Sequence, residues 1–143
     1  MNSEWNETGS LTFMVRSVWL GMRAAIGEEL KEFGLSSPQY ATLMMTAAQP
    51  GKSVSDIARD VGSTRQAANE MLAGLESQGL IERRPHPTDK RTYQLFVTDA
   101  GHKRYALAHK AVKRREDELE ANLTPAQRTA IRTWMAGIAT ACH

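Results

Sequence analysis

Apolar residues in the first part of the chain recur at intervals of three and four. From Leu11 onward, Val15, Val18, Trp19, Met22, Ile26, Leu30 and Phe33 follow this spacing, which gives a helix one apolar stripe. Ser10 as N-cap and Gly34 as stop bound a helix that, at 1.5 Å per residue, would be about 35 Å long. Either it crosses the whole domain or its outer part packs on another chain. Leu35-Ser36-Ser37-Pro38-Gln39 restarts a helix, with Ser36 capping, Gln39 at the third position, and Tyr40, Leu43, Met44 and Ala47 as its stripe. Gln49-Pro50-Gly51 ends it, because proline restricts its predecessor and glycine frees the backbone beyond. The same starting device returns at Leu123-Thr124-Pro125-Ala126-Gln127, ahead of Ala130, Ile131, Trp134 and Ile138.

Two shorter helices are predicted in the middle. Ser53 caps residues 54 to 61, with Asp56 in the first turn, and Gly62 breaks the run. The next helix starts at Ser63 or Thr64, buries Ala68, Met71, Leu72 and Leu75, and stops at Gly79. Residues 80 to 84 and 92 to 98 read as strands. The second alternates Tyr93, Leu95 and Val97 against Gln94, Phe96 and Thr98, a pattern that Phe96 blurs. Pro85, Pro87 and Asp89 suit a bend between them. Such a hairpin is marginal alone and must lean on the preceding helices. Asp99 then caps a charged helix reaching about Asn122, with Tyr105, Ala108, Val112 and Leu119 inward. The expected fold is mainly α with a small β-hairpin (α+β).

Ala58, Gly62, Ala68, Met71, Leu75 and Gly79 have the spacing of a helix-turn-helix. A small residue lets the two helices cross closely, glycine permits the sharp turn, and the second helix is the one that enters a DNA major groove. Charge placement strengthens this reading. The chain has 143 residues and a net charge of only +2, yet residues 80 to 98 hold 4 basic side chains, Arg83, Arg84, Lys90 and Arg91, against 2 acidic ones. A basic spot around a turn suits an anionic polymer.

Taken together, these segments resemble the MarR family of winged helix-turn-helix transcription regulators. The resemblance runs through Leu35-Ser36-Ser37-Pro38-Gln39-Tyr40, Val54-Ser55-Asp56-Ile57-Ala58 and Leu75-Glu76-Ser77-Gln78-Gly79-Leu80-Ile81-Glu82-Arg83. It continues through Asp89-Lys90-Arg91, Leu95, Val97-Thr98 and Gly101. It implies a single domain over residues 1–143, with a winged helix-turn-helix lobe at 35–98 and a dimerisation region formed by 10–34 and 99–143. It also implies a cytoplasmic homodimer that binds double-stranded DNA at a pseudopalindromic operator, more in keeping with repression than activation, and that responds to a small apolar or phenolic ligand. The alternative is a protein-interaction scaffold that kept the winged fold without specific operator binding.

Mapped onto this chain, Thr64, Arg65, Gln66, Asn69 and Glu70 fall at the start and outer side of the recognition helix. Gln66 and Asn69 suit adenine edges, and Thr64 and Arg65 suit phosphate near the helix N-terminus. Glu70 departs from the resemblance, since this position is often basic there; it supports the scaffold alternative and leaves the base preference open. Arg91 is the expected minor-groove residue of the wing, Asp89 its orienting partner, and Arg84 and Lys90 phosphate contacts. Trp19, Met22, Tyr40, Met44, Met45 and His109 fall in regions that line the ligand cavity of similar proteins, and suit a plain core equally well.

Other chemistry finds little support. No phosphate loop, nucleophile elbow or catalytic carboxylate pair is present in the sequence, so no enzyme and no cofactor are expected. His102 and His109 stand seven residues apart, about 10.5 Å along a helix and too far to share a metal comfortably. His86 and His143 lie elsewhere, and no metal site is expected. Cys142 is the only cysteine, which excludes an internal disulfide and suits a reducing compartment. An acidic first segment containing Glu4 and Glu7, and the lack of any apolar run near 18 residues, argue against a secretory signal or membrane span.

Overall fold

The computed structural model describes residues 9–143; the acidic segment with Glu4 and Glu7 lies outside them. The element order is α1 (Leu11–Leu30), a 3-10 turn (Lys31–Phe33), α2 (Ser37–Ala48), α3 (Val54–Val61), α4 (Arg65–Ser77), β1 (Ile81–Pro85), β2 (Tyr93–Val97), α5 (Asp99–Leu119) and α6 (Pro125–Ala141). The fold is mainly α with one small antiparallel hairpin. The chain divides into two units, one ending at Val112 and one spanning Lys113–His143.

Helix starts follow side-chain chemistry. Ser36, Ser53 and Thr124 each accept the amide of the residue three positions on, and Gln39, Asp56 and Gln127 each accept the cap residue's own N–H. Two orphan donors are thereby satisfied at each start. Ser10 occupies the cap position of α1 without a side-chain bond. The cap of α5 differs from expectation. Thr98, not Asp99, holds that position: its Oγ1 accepts Gly101 N at 3.0 Å and donates to Gly79 O at 2.6 Å. Asp99 becomes the first residue of the helix, where its charge complements the helix dipole. The helix ends at Leu119, short of Asn122, and Leu119 is exposed.

The first unit has one core. Leu30, Leu43, Ile57, Ala68, Leu72, Leu75, Leu80 and Leu95 are fully buried in it, and Ala108 and Val112 of α5 join them. The stripe of α1 divides in two. Leu30 is buried and Ile26 and Phe33 pack against the core, whereas Val15, Val18, Trp19 and Met22 face solvent.

In the hairpin, Ile81 pairs with Val97 and Pro85 with Tyr93. A third edge completes it. Gly51 N donates to Leu95 O and Leu95 N donates to Lys52 O, both at 2.9 Å. The wing is thereby tied on its second edge to the chain just before α3. Phe96, which blurred the alternation, is half-buried with the Arg84 guanidinium 4.1 Å above its ring; the aromatic belongs there as a platform for a cation.

In the second unit, α6 buries none of its residues. Glu120 pairs with Arg132 and lies 3.5 Å from Arg128, whose Nη2 also donates to Glu120 O at 3.2 Å.

Candidate nucleic-acid interface

The turn between α3 and α4 is set by small residues and one left-handed glycine. Gly62 has φ 67°, a conformation open to glycine at little cost. Its N–H closes on Arg59 O, and Ser63 N donates to Ala58 O at 2.9 Å. Thr64 then caps α4 by accepting Ala67 N at 3.1 Å, which settles the start left open between Ser63 and Thr64. Ala68, Leu72 and Leu75 anchor the helix in the core. The same geometry turns Thr64, Arg65, Gln66 and Glu70 outward, all exposed, and Arg65 and Glu70 make no ion pair among the described residues.

Asn69 is different. It is half-buried, and its Oδ1 accepts Arg83 Nη1 at 3.3 Å. Arg83 Nε donates to Glu76 Oε1 at 2.5 Å. Arg83 therefore spans from β1 to the recognition helix. Sequence patterning treats it as one more surface cation; the signal available was its alternation with Ile81, which puts both side chains on the inner face of the strand.

The loop between the strands is organised by two side chains. His86 Nδ1 accepts the amides of Thr88 at 3.2 Å and Asp89 at 3.0 Å. Asp89 Oδ1 accepts Arg91 N at 3.0 Å and Arg91 Nε at 3.3 Å. These bonds from Arg91 hold the Asp89 carboxyl below its ordinary range. Arg91 is thus pinned at its base while its side chain stays 91% exposed. Lys90 is exposed without an ion pair among the described residues. Arg84 is committed otherwise: Nε donates to Glu82 Oε1 at 2.9 Å, Nη2 closes on the same oxygen, and Phe96 lies beneath. Its charge is therefore largely matched within the chain.

Between the wing and the starts of α3 and α4 lies an open groove of about 560 Å³, lined by Ser53, Ser55, Arg65, His86 and Arg91 among others. Asp56 and Asp89 line it too, their carboxylates engaged by the Ser53 N–H and by Arg91; the hydroxyls and the two arginines suit a run of phosphates. The profile of the MarR family matches residues 33–92, the stretch that carries this groove. A solved structure of the transcriptional repressor CouR bound to a 23-mer DNA duplex is 30% identical to the chain, covers 96% of each, and superposes with a TM-score of 0.85.

The chain belongs to the MarR family.

Its fold is the winged helix-turn-helix of that family, mainly α with one small β-hairpin wing. A crystal structure of MarR is 27% identical, with a TM-score of 0.87 over 96% of this chain and 93% of that one. The transcriptional regulator HosA of Escherichia coli O111:H- is 36% identical over 74 residues, 52% of this chain. The chain spans little more than half the length of such curated relatives, 55% in HosA. Among the described residues, no helix is long and apolar enough to cross a membrane, and no group of three or more metal-ligating side chains occurs.

The residues expected to line a ligand cavity in this MarR-family chain fall into separate places. Trp19, Met44 and Met45 line a cleft of about 650 Å³ together with Arg23, Pro38 and Val61. Tyr40 and His109 lie elsewhere, the tyrosine hydroxyl 3.0 Å from His109 Nδ1, with Tyr105 stacked against both rings. Met22 belongs to neither group and is exposed on α1.

Asp56 ties the interface to pH. The Ser53 N–H bond is the main reason its carboxyl lies below the ordinary 3.8; slight burial opposes this, and the Ser53 hydroxyl and Arg59 add to it. A depressed carboxyl contributes stability that is fully present above the unfolded value and is lost as pH falls through the folded value. Asp56→Asn should lower stability at pH 7 by roughly 0.5 kcal/mol, given partial exposure. The gap between thermal melts of the two proteins should narrow as pH falls below about 4 and close below the depressed folded value; a gap that does not narrow on acidification would assign the effect to packing instead.

Proposed function

We propose that the chain is a homodimeric, ligand-responsive repressor that occupies a pseudopalindromic DNA operator. The observation that carries this reading is Arg91, held at its base by Asp89 and otherwise extended into solvent beside the groove. An arginine so presented suits a narrow minor groove, where it responds to width and potential more than to base identity. On α4, Gln66 is exposed and offers the two-point amide that matches adenine, Glu70 offers an acceptor to cytosine, and Thr64 and Arg65 sit at the helix N-terminus near phosphate. Lys90 adds a phosphate contact, and Arg84 a weaker one because Glu82 already faces it. The winged lobe at 35–98 reads DNA, and residues 10–34 and 99–143 supply dimer contacts. The cleft with Trp19, Met44 and Met45 is the ligand site: its apolar lining suits an aromatic ring, and Arg23 suits the oxygen of a phenol.

Selection from random-sequence duplexes with the full chain tests the reading. A two-fold symmetric sequence should emerge. Arg91→Ala should then weaken binding to it by roughly 1 to 3 kcal/mol and lower the salt slope by about one, while Asp89→Ala should change the slope less. Unaltered affinity and slope for Arg91→Ala would put the wing outside the interface. Failure to enrich any sequence would favour the interaction scaffold, which Glu70 on the reading face supports.

A further inference from the structure

Arg83 and Arg84 are neighbours on β1 with opposite fates. Arg84 lies on the exposed face, whereas Arg83 turns toward α4 and its side chain is only 23% exposed. The ion pair with Glu76 at 2.5 Å leaves Arg83 little charge to offer a phosphate. Its remaining bond goes to Asn69, a residue on the side of α4 that faces DNA in the operator-binding reading.

That bond fixes which end of the Asn69 amide faces outward. A guanidinium has five N–H donors and no acceptor, so the amide atom that meets it must be oxygen. The NH2 is then the end left for the groove. A two-point contact with adenine needs both ends, with Oδ1 accepting from N6 and Nδ2 donating to N7. Arg83 fills one of the two lone pairs of Oδ1 and draws that end of the amide toward β1, away from where adenine N6 would have to meet it. An outward NH2 instead matches acceptors: guanine presents two, O6 and N7, side by side, thymine presents O4, and cytosine opposes it with a donor of its own.

We propose that Arg83 is a specificity-determining positioning residue: by holding Asn69 Oδ1 it makes Asn69 a reader of hydrogen-bond acceptors, guanine before adenine, without touching DNA itself. The proposal rests on the operator-binding reading, and its failure is distinguishable from the failure of that reading. Glu76 belongs to the same device, because it holds the other side of the guanidinium.

The test is a competition series on the operator selected by the wild-type chain, using all single-base variants and several salt concentrations. Asn69→Ala first marks the symmetric pair of positions that Asn69 reads. At that pair alone, Arg83→Leu should shift preference from guanine toward adenine by about tenfold, because the freed amide can rotate to present both ends. The salt slope should stay at the wild-type value. Arg83→Lys keeps a positive charge but lacks the fork that spans Glu76 and Asn69; it should produce the same shift, and it serves where leucine impairs folding, as judged by circular dichroism. A base profile that neither variant alters overturns the proposal. So does a slope reduced by about one in Arg83→Leu with its profile intact, which would make Arg83 a phosphate contact. A wild-type chain that enriches no sequence overturns the operator reading and this inference with it.

Discussion

Replacing Gly101 by alanine is expected to lower the melting temperature by about 10 °C or more, although it adds one methyl group to a helix. A Cβ built at this position would stand 2.1 Å from Leu80 O and 2.7 Å from Val97 Cγ1. The oxygen is backbone and cannot swing aside. It also accepts Thr98 N at 3.1 Å, and the neighbouring Gly79 O accepts the Thr98 hydroxyl. The start of α5 thus rests directly on the link between α4 and β1. Forcing a methyl group into that contact must separate the helix from the hairpin or break the bonds around Thr98. Overpacking costs about 1 to 3 kcal/mol where side chains can yield, and more where backbone must move. For a domain of this size that corresponds to the stated fall in melting temperature. Gly27→Ala is the matched control, since its Cβ would meet only Ser37 Oγ at 3.9 Å; the helix-propensity gain should leave its melting temperature equal or slightly higher. Equal melting of Gly101→Ala and the wild type would mean that the α5 start is not seated on Leu80.

The consequence reaches DNA. The link that Gly101 presses on leads directly into β1, where Arg83 ties the wing to Asn69 on the recognition helix. Loss of this seat should therefore disturb the two DNA-facing elements together, whereas Arg91→Ala disturbs one contact.

Local chemistry made much of the fold legible. The starts at Ser36, Ser53 and Thr124 carry their own signals, a hydroxyl followed three residues on by a side-chain oxygen, and all three form as read. Gly34, Gly62 and Gly79 end or turn elements with positive φ. What escaped was set by distant partners. Asp99 is an excellent cap by type, but Thr98 takes the position because its hydroxyl also reaches Gly79 O across 19 residues. The Lys52 bridge to Leu95 is one residue long and leaves no periodicity to detect. The outward set on α4 followed from the buried stripe. The tether on Asn69 did not, since it comes from another element 14 positions away. The six pocket residues were gathered by composition and resemblance, and composition cannot say that Tyr40 and His109 pair with each other while Trp19 and Met44 line a separate cleft.

Replacing Trp134 by aspartate is expected to separate the proposed dimer and with it to abolish tight operator binding. On α6, Ile131, Trp134, Met135 and Ile138 are spaced by one, three and four residues, and all stay exposed, Trp134 at 45%. On α1, Val15, Val18, Trp19 and Met22 do the same, Trp19 at 59%. Monomeric proteins seldom leave apolar stripes of this kind open to water. A half-exposed tryptophan has on the order of 100 Å² still to bury, about 2 to 3 kcal/mol. A two-fold interface counts that contact twice and would place an uncompensated carboxylate on each side. Each lobe would then hold its half-site alone, with the loss of about 10² to 10⁴ in avidity expected when two linked sites are uncoupled. Sedimentation velocity of the wild type and Trp134→Asp at micromolar concentration, paired with operator titration of both, reads the two effects together. The variant should sediment as a folded monomer and bind DNA with the weak affinity of one lobe. A wild type that is already monomeric and folded, or a variant that stays dimeric, would remove the dimer and the palindromic operator together.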